Sequence, residues 1–376
     1  MKKATAAITT ALFCAIIVFF VVSGIIIPDS DFSENENRFL TTEVEMSFES
    51  IVSGKFTSTA EKYIDDQFFL RNELISFKTL TQQMMLNKDI GGVYLGKEKY
   101  LFEKIRDGDF DNAQTKSNVE TVNAFMARHS NITVSLLLSP NAALVLKDKL
   151  PPYAPYFNQS SEIDNIKASI DCGFIDVREV LNEKSSEYIF YKTDHHWTTL
   201  GAFYAYQALR NAKGLSSVDI DDYDVKLMTT AFRGALYSKA LNLNSADDSI
   251  YIFEPKHREN YSVEYNYGKE VTSSVYDLNK LNTKDKYQLF LGGNPPEVKI
   301  KTDNADGKNL LVFKDSFANS FIPFLIGDYK NICVIDLRYF NQDVNAYILE
   351  NDIDEIMFLY NIVNFSSDKS FEKLIK

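Results

Sequence analysis

Cysteine is scarce in this chain, with three among 376 residues, at positions 14, 172 and 333. They are too few and too scattered for a disulfide scaffold or a Cys-x-x-Cys metal site. Cys14 falls inside an apolar run, and Cys172 and Cys333 are read as two buried thiols. Basic residues are in deficit too: 40 Lys and Arg stand against 52 Asp and Glu, a net charge of −12. That balance argues against a fold-wide basic face, and so against nucleic acid as a partner. Histidine occurs four times and tryptophan once. There is no internal repeat and no low-complexity tract. What the chain does have is 45% hydrophobic and 24% charged residues, which sustains a packed core and excludes wholesale disorder. At roughly 150 residues per domain, the length allows one large domain or two modest ones.

From Ala4 to Ile27 no residue is charged, and the part from Ala11 onward is almost wholly apolar. Such a run can cross a hydrocarbon slab that needs about 20 helical residues. Lys2 and Lys3 precede it, while Asp29, Asp31, Glu34 and Glu36 follow. Positive charge stays on the cytoplasmic side, so the remainder is expected outside the cell membrane. Residues 1–28 are therefore read as an uncleaved single-pass anchor. A cleaved signal peptide, which would release a secreted protein, is the rival. Its apolar region is normally shorter, and no convincing small-x-small cleavage site precedes Pro28.

Residues 29–90 are expected as a juxtamembrane linker followed by a helical segment. The part from 28 to 57 is polar and broken by Pro28, Ser33 and Gly54. From Ser58, the residues Tyr63, Ile64, Phe68, Phe69, Leu74 and Leu80 recur at helical spacing up to about Leu86. Beyond Gly91 short apolar runs alternate with helical patterns. The runs Ile132–Leu138, Phe174–Val177, Leu310–Phe313, Ile332–Ile335 and Ile356–Tyr360 show little polar alternation. This is how strands of a parallel sheet covered on both faces read. Helical patterns lie at Asn112–Arg128, Glu162–Ser169, Gly201–Lys213 and Phe317–Ile326. Residues 215–297, rich in Tyr, Asn and Asp, look like an irregular insertion. The working architecture for residues 91–376 is an α/β domain, a mostly parallel sheet flanked by helices, with that long insertion.

Two clusters can carry chemistry. The first is Thr193-Asp194-His195-His196-Trp197-Thr198, which holds two of the histidines and the tryptophan. A carboxylate two residues from an imidazole can fix its tautomer and stabilise its protonated form. The same residues also read as a packed loop whose Thr198 or Thr199 caps the next helix, or as a metal site. The second is the apolar strand ending in Lys314-Asp315-Ser316 and giving way at once to a helical pattern. A serine there sits at the carboxyl edge of an open α/β sheet, beside the N–H groups of a helix start. Asp and Ser are equally ordinary N-cap residues. Together, a strand-end serine and a distant Asp-x-His are the minimal kit for acyl transfer through a covalent ester.

These features resemble the DHHW family, named for the tetrad Asp194-His195-His196-Trp197. That family is similar to the SGNH-hydrolase-like domains of alginate O-acetyltransferases and other cell-surface polysaccharide acetylation proteins. The resemblance takes in Ser33-Glu34-Asn35-Glu36-Asn37-Arg38, Val93-Tyr94-Leu95-Gly96, the tetrad, the Lys-Asp-Ser segment and Ile335-Asp336-Leu337-Arg338-Tyr339. It implies Ser316 as nucleophile, His196 as general base and Asp194 as its orienting carboxylate. The alginate enzymes read Asp-x-His-Trp, so the second histidine is the match, and residues two apart can share one face of an extended segment. His195 is then a packing or substrate-binding residue, and Trp197 a substrate-binding or oxyanion candidate. Related esterases often read Gly-Asp-Ser, and Lys314 stands here in the glycine position. Asn141 and Arg338 are the candidates for an oxyanion hole.

The resemblance implies an extracytoplasmic O-acyltransferase or acyl esterase acting on a cell-surface polysaccharide, with no cofactor and no metal. Its acyl donor would be a multispanning membrane acyltransferase, since acetyl-CoA is absent outside the membrane. The alternative is a non-catalytic glycan-binding or scaffold protein that keeps Asp194 and His196 for structure. A metal-dependent hydrolase using Asp194, His195 and His196 ranks last, because adjacent histidines rarely reach one ion.

Overall fold

The computed structural model describes residues 2–33, 35–106, 108, 110–242, 244–257 and 260–375. Glu34, one of the acidic residues behind the apolar run, lies outside the described residues. The chain divides into two compact units, residues 1–90 with 238–243 and residues 91–237 with 244–376.

The first unit opens with helix α1 (Lys2–Ile26), long and apolar enough to cross a membrane. A hairpin of β1 (Phe32–Ser33) and β2 (Arg38–Phe39) follows, with Phe32 and Phe39 edge to face. Helix α2 (Phe48–Val52) is started by a capping box between Ser47 and Ser50. Helices α3 (Lys55–Asp66) and α4 (Arg71–Met84) come next, and the short strand β3 (Asp89–Ile90) ends the segment. The periodicity of residues 58–86 predicts one helical run. It is broken instead at Leu70, whose backbone is left-handed with φ 58°. The segment predicted as linker carries the hairpin and α2, elements too short to leave a periodic signal. Asp66 ties the hairpin down: Arg38 donates to both its carboxylate oxygens and Thr41 N–H to one of them. The Arg38 hydrogen bonds hold the Asp66 carboxyl well below the usual carboxylate range.

The second unit begins with β4 (Val93–Leu95), β5 (Leu101–Glu103), α5 (Asn112–Arg128), β6 (Thr133–Ser139), α6 (Ala142–Val145), α7 (Gln159–Ser169) and β7 (Gly173–Ile175). Then come α8 (Arg178–Glu183), α9 (Thr199–Ala212), β8 (Tyr223–Phe232), α10 (Ala235–Ala240, whose last three residues count with the first unit), β9 (Asp248–Pro255), β10 (Tyr261–Tyr265) and β11 (Glu270–Thr272). It closes with β12 (Glu297–Thr302), β13 (Lys308–Lys314), β14 (Tyr329–Ile335), α11 (Val344–Glu350), β15 (Glu355–Asn361) and α12 (Ile362–Ser367).

The main sheet has the order β11-β10-β12-β14-β13-β15-β6-β7. Its strands from β14 to β7 run parallel, and β12, β10 and β11 add on antiparallel. Successive side chains point to opposite faces. Leu310, Val312, Val334 and Leu359 enter one core, with Phe203 and Leu209 of α9. Leu311, Phe313, Ile335 and Phe358 enter the other, with Val122 and Phe125 of α5. Both faces are buried, which is why these strands read as unbroken apolar runs.

Two sequence expectations change. The helical pattern Phe317–Ile326 is a pair of 3-10 turns, Ser316–Ser320 and Ile322–Gly327. Pro323 near the start of the second has no N–H to continue an α-helix through the break. The insertion is also more regular than its composition suggests. It holds the β8–β9 hairpin and supplies β10 and β11 to the main sheet. Most of β8 is exposed, so it carries no apolar run to announce a strand.

Candidate active site

Strand β13 lies inside the sheet, and the chain turns sharply where it ends. Asp315 caps the turn: its Oδ1 accepts from Phe317 N–H at 2.9 Å. Its Oδ2 accepts from Asn361 N–H and from the Asn364 amide, both at 2.7 Å. Burial pushes the Asp315 carboxyl up against these donors. The capping role of the Asp-Ser pair therefore belongs to Asp315, and the Ser316 hydroxyl is left to other work.

That hydroxyl meets the second cluster. Ser316 Oγ lies 2.8 Å from His196 Nε2, and His196 Nδ1 lies 2.5 Å from Asp194 Oδ1. With Nδ1–H donating to the carboxylate, Nε2 is the acceptor and the serine O–H donates to it. Asp194 also accepts from the backbone N–H of His196 at 3.0 Å and of Ala235 at 2.8 Å. Both side chains of the pair are buried. Burial alone would raise the Asp194 pKa. The charges of His195 and His196 and the donated hydrogen bonds outweigh it and hold the carboxyl well below its usual range. Burial, reinforced by His195, pushes the His196 imidazole down to about 4, against the pull of Asp194. At neutral pH the carboxylate is ionised and the imidazole neutral, the state in which a histidine can accept a proton.

The loop holding Asp194 and His196 is itself clamped. Asp248, buried at the start of β9, accepts from the N–H groups of Lys192 at 2.8 Å and Thr193 at 2.7 Å. The Thr193 and Tyr188 hydroxyls donate to it as well, each at 2.5 Å. Thr198 ends the loop by capping α9, its hydroxyl accepting from Gly201 N–H. Tyr287, in a 3-10 turn of the insertion, lies flat on the His196 ring. Its hydroxyl donates to the Ser316 carbonyl at 3.0 Å. Gly234 presses against Asp194, and a Cβ there would fall 2.2 Å from Oδ2. Asp248, Tyr287, Gly234 and Ala235 all belong to the insertion. Sequence reasoning missed them, because no motif or spacing marks them.

The remaining expected site residues divide. His195 is partly exposed, with its ring centroid 3.9 Å from that of His196, so it stands at the open side of the cluster. Trp197 is fully buried and donates from its indole to the Phe317 carbonyl at 2.9 Å. It is thus no substrate-binding surface; it ties the tetrad loop to the turn after Ser316. Arg338 is spent on Asp336, with Nε at 2.8 Å and NH2 at 2.6 Å from its two oxygens. This bidentate pairing commits Nε and one terminal nitrogen to Asp336 and fixes the guanidinium beside it. Asn141 follows β6, and its Oδ1 accepts from Asn361 Nδ2 at 2.6 Å. Asn361 in turn holds Asp315, so Asn141 belongs to one network across three strand ends. Lys314, in the glycine position, is fully buried and donates to Asn294 at 2.8 Å and Asn319 at 2.7 Å. Burial pushes its ammonium down to about 8.

Asp194, His195 and His196 offer ligand atoms within 4.8 Å of one another. Both nitrogens of His196 are already hydrogen-bonded, to Asp194 and Ser316. A cation would have to break one of these bonds, so the donor set fits a proton relay better than a metal.

The DHHW protein family profile matches residues 15–335 of the chain. Among solved structures, a DHHW family protein from Eubacterium siraeum superposes with a TM-score of 0.65 at 22% identity, covering 76% of this chain and 95% of that one. Bacillus cereus PatB1 carrying a sulfonyl adduct superposes with a TM-score of 0.63 at 21% identity, over 74% of this chain and 97% of PatB1. The shared fold is SGNH-hydrolase-like, as the sequence resemblance implies. Among curated proteins, the chain is 22% identical over 169 residues to the probable alginate O-acetylase AlgJ of Pseudomonas syringae pv. tomato. That match spans 43% of this chain and 43% of AlgJ, less than half the length of the relative. The chain belongs to the DHHW protein family.

Proposed function

We propose that this protein is an extracytoplasmic O-acyltransferase or acyl esterase acting on a cell-surface polysaccharide through an acyl-serine intermediate. The observation that carries the reading is the continuous hydrogen-bonded row Ser316 Oγ, His196 Nε2, His196 Nδ1, Asp194 Oδ1, at 2.8 and 2.5 Å. In the first half-reaction Ser316 Oγ attacks the acyl carbonyl while its proton passes to His196 Nε2. The bond from the carbonyl carbon to the donor oxygen then breaks, and His196 returns the proton to that leaving oxygen. In the second half-reaction a sugar hydroxyl or water attacks the acyl-serine, with His196 again taking and returning one proton. Asp194 stabilises the imidazolium each time.

The oxyanion needs donors. Ser316 N–H has no acceptor among the described residues and lies on the residue that attacks. Asn141, whose Oδ1 is held by Asn361, has its Nδ2 left to donate and is the second donor in this reading.

In the same reading α1 anchors the chain, Lys3 lies on the cytoplasmic side, and everything after Ile26 is outside. The acyl group then arrives from a multispanning membrane acyltransferase. AlgJ, by its description a probable alginate O-acetylase, supports acyl transfer as the chemistry, and PatB1, of the same fold, was solved with a sulfonyl adduct. The test is release of p-nitrophenol from its acetate, with and without an acetyl-free surface polysaccharide. Turnover lost in Ser316→Ala and His196→Ala, and faster with polysaccharide, fits a transferase. Turnover indifferent to polysaccharide fits an esterase. A folded protein with no turnover would favour the glycan-binding or scaffold reading.

A further inference from the structure

Helix α4 presents an apolar stripe to the outside of the first unit. Leu74, Phe77, Leu80 and Met84 are 43%, 64%, 41% and 72% exposed. At about 100° per residue they fall within an arc of about 120°. The opposite side of the helix is the packed one. Thr79 is buried with its hydroxyl on the Ala240 carbonyl, and Gln83 donates to Asn242 at 2.8 Å. The amphipathic helix is therefore inverted with respect to its own unit, with its apolar side away from the packed face. An exposed stripe of this kind, shared only with Glu73 near its N-terminal end and with Thr81, marks an interaction surface.

The occupant is indicated by where the helix is held. The turn leading into α4 lies on α1: the Phe68 ring stacks on Phe20 at 4.9 Å, and Phe69 meets Phe19 at 5.8 Å. Phe20 lies six residues before the end of α1 at Ile26, which at 1.5 Å per residue is about 9 Å down the helix. Interfacial helices sit about 5–10 Å into the boundary between headgroups and acyl chains. The arrangement is pinned just beyond α1 by Tyr63 donating to Asp29 at 3.0 Å and by Ser30 N–H donating to Gln67 at 2.9 Å. Aromatic and aliphatic side chains at that depth face acyl chains rather than water.

We propose that α4 and the turn before it form a monotopic lipid-binding surface, lying in the outer leaflet beside α1. The proposal rests on α1 being a membrane anchor. It gives the protein a second membrane contact, which fixes the first unit against the bilayer rather than leaving it on a tether.

The test uses the full chain in nanodiscs of phosphatidylcholine and phosphatidylglycerol, with or without bromine on the acyl chains. Bromine quenches tryptophan that touches the chains. The native Trp197 is fully buried in the second unit and gives the baseline. Single probes are Leu12→Trp in α1, Phe77→Trp and Met84→Trp on the stripe, and Tyr153→Trp on the exposed surface of the second unit. Emission from the Leu12, Phe77 and Met84 probes should fall about twofold in brominated discs, and that from the Tyr153 probe should not change. Quenching at Leu12→Trp with none at Phe77→Trp and Met84→Trp overturns the proposal and leaves the anchor standing. Absence of quenching at Leu12→Trp overturns the anchor, and the proposal with it.

Discussion

The imidazole of His196 lies flat on the phenol ring of Tyr287, with centroids 3.9 Å apart and planes 10° from parallel. The same tyrosine donates to the Ser316 carbonyl, so one side chain touches both the proposed base and the backbone of the proposed nucleophile. Tyr287→Phe keeps the ring and loses the hydrogen bonds; about a tenfold drop in acylation rate is expected. Tyr287→Ala frees the imidazole and should cost about 10²-fold or more. Stopped-flow acylation of folded variants checks the order. Equal rates in all three proteins would contradict a positioning role.

Gly234 faces Asp194 so closely that a methyl group cannot fit without moving the carboxylate. Gly234→Ala should therefore displace Asp194, destabilise the fold by about 1–3 kcal/mol and lower acylation by about 10²-fold. Thermal melting and single-turnover rates separate the two effects. Wild-type rates in Gly234→Ala would show that the contact does not set the geometry.

Asp248 gathers two backbone N–H groups and two hydroxyls beneath the tetrad loop. Asp248→Asn would turn a donor toward these donors and leave at least one buried group unsatisfied. A loss of about 2–4 kcal/mol is expected from urea unfolding. An unchanged midpoint would mean that the loop is held by its packing alone.

The pH dependence follows from His196, whose pKa burial pushes down to about 4. The neutral ring accepts the serine proton and the protonated ring cannot, so acylation should hold from neutral pH downward and fall through about 4. Stability carries the same sign. Between the ordinary histidine value of about 6.5 and the folded value, the unfolded chain binds a proton that the folded chain does not. Stability conferred by the neutral ring is therefore present above that range and lost as pH falls through it. His196→Ala should flatten the stability profile there. A rate that falls already between pH 7 and 6 would contradict the assignment.

Much of this was legible in the sequence because burial leaves a pattern. Strands such as Leu310–Phe313 and Ile356–Tyr360 are covered on both faces and so read as solid apolar runs. The Asp-x-His spacing and the strand-end serine were visible as residue types, and the structure brings Ser316, His196 and Asp194 together. The support for them was not visible. Asp248, Tyr287 and Gly234 reach the site from a segment whose strands are edge-lying or exposed, and whose link to Asp194 is tertiary. Trp197 illustrates the converse: its place in the tetrad suggests a surface for substrate, while full burial makes it a strut behind Ser316. The two-residue strands of the first unit are below the length at which periodicity can speak.

The central claim is that Ser316 carries an acyl group. It is tested most directly by intact-mass spectrometry of the full chain after brief exposure to an activated acetyl ester, beside Ser316→Ala and His196→Ala. One added acetyl group is expected, mapped to Ser316 and missing from both variants while their melting temperatures stay near wild type. A folded wild-type protein that gains no acetyl group, or gains it equally in Ser316→Ala, would contradict it.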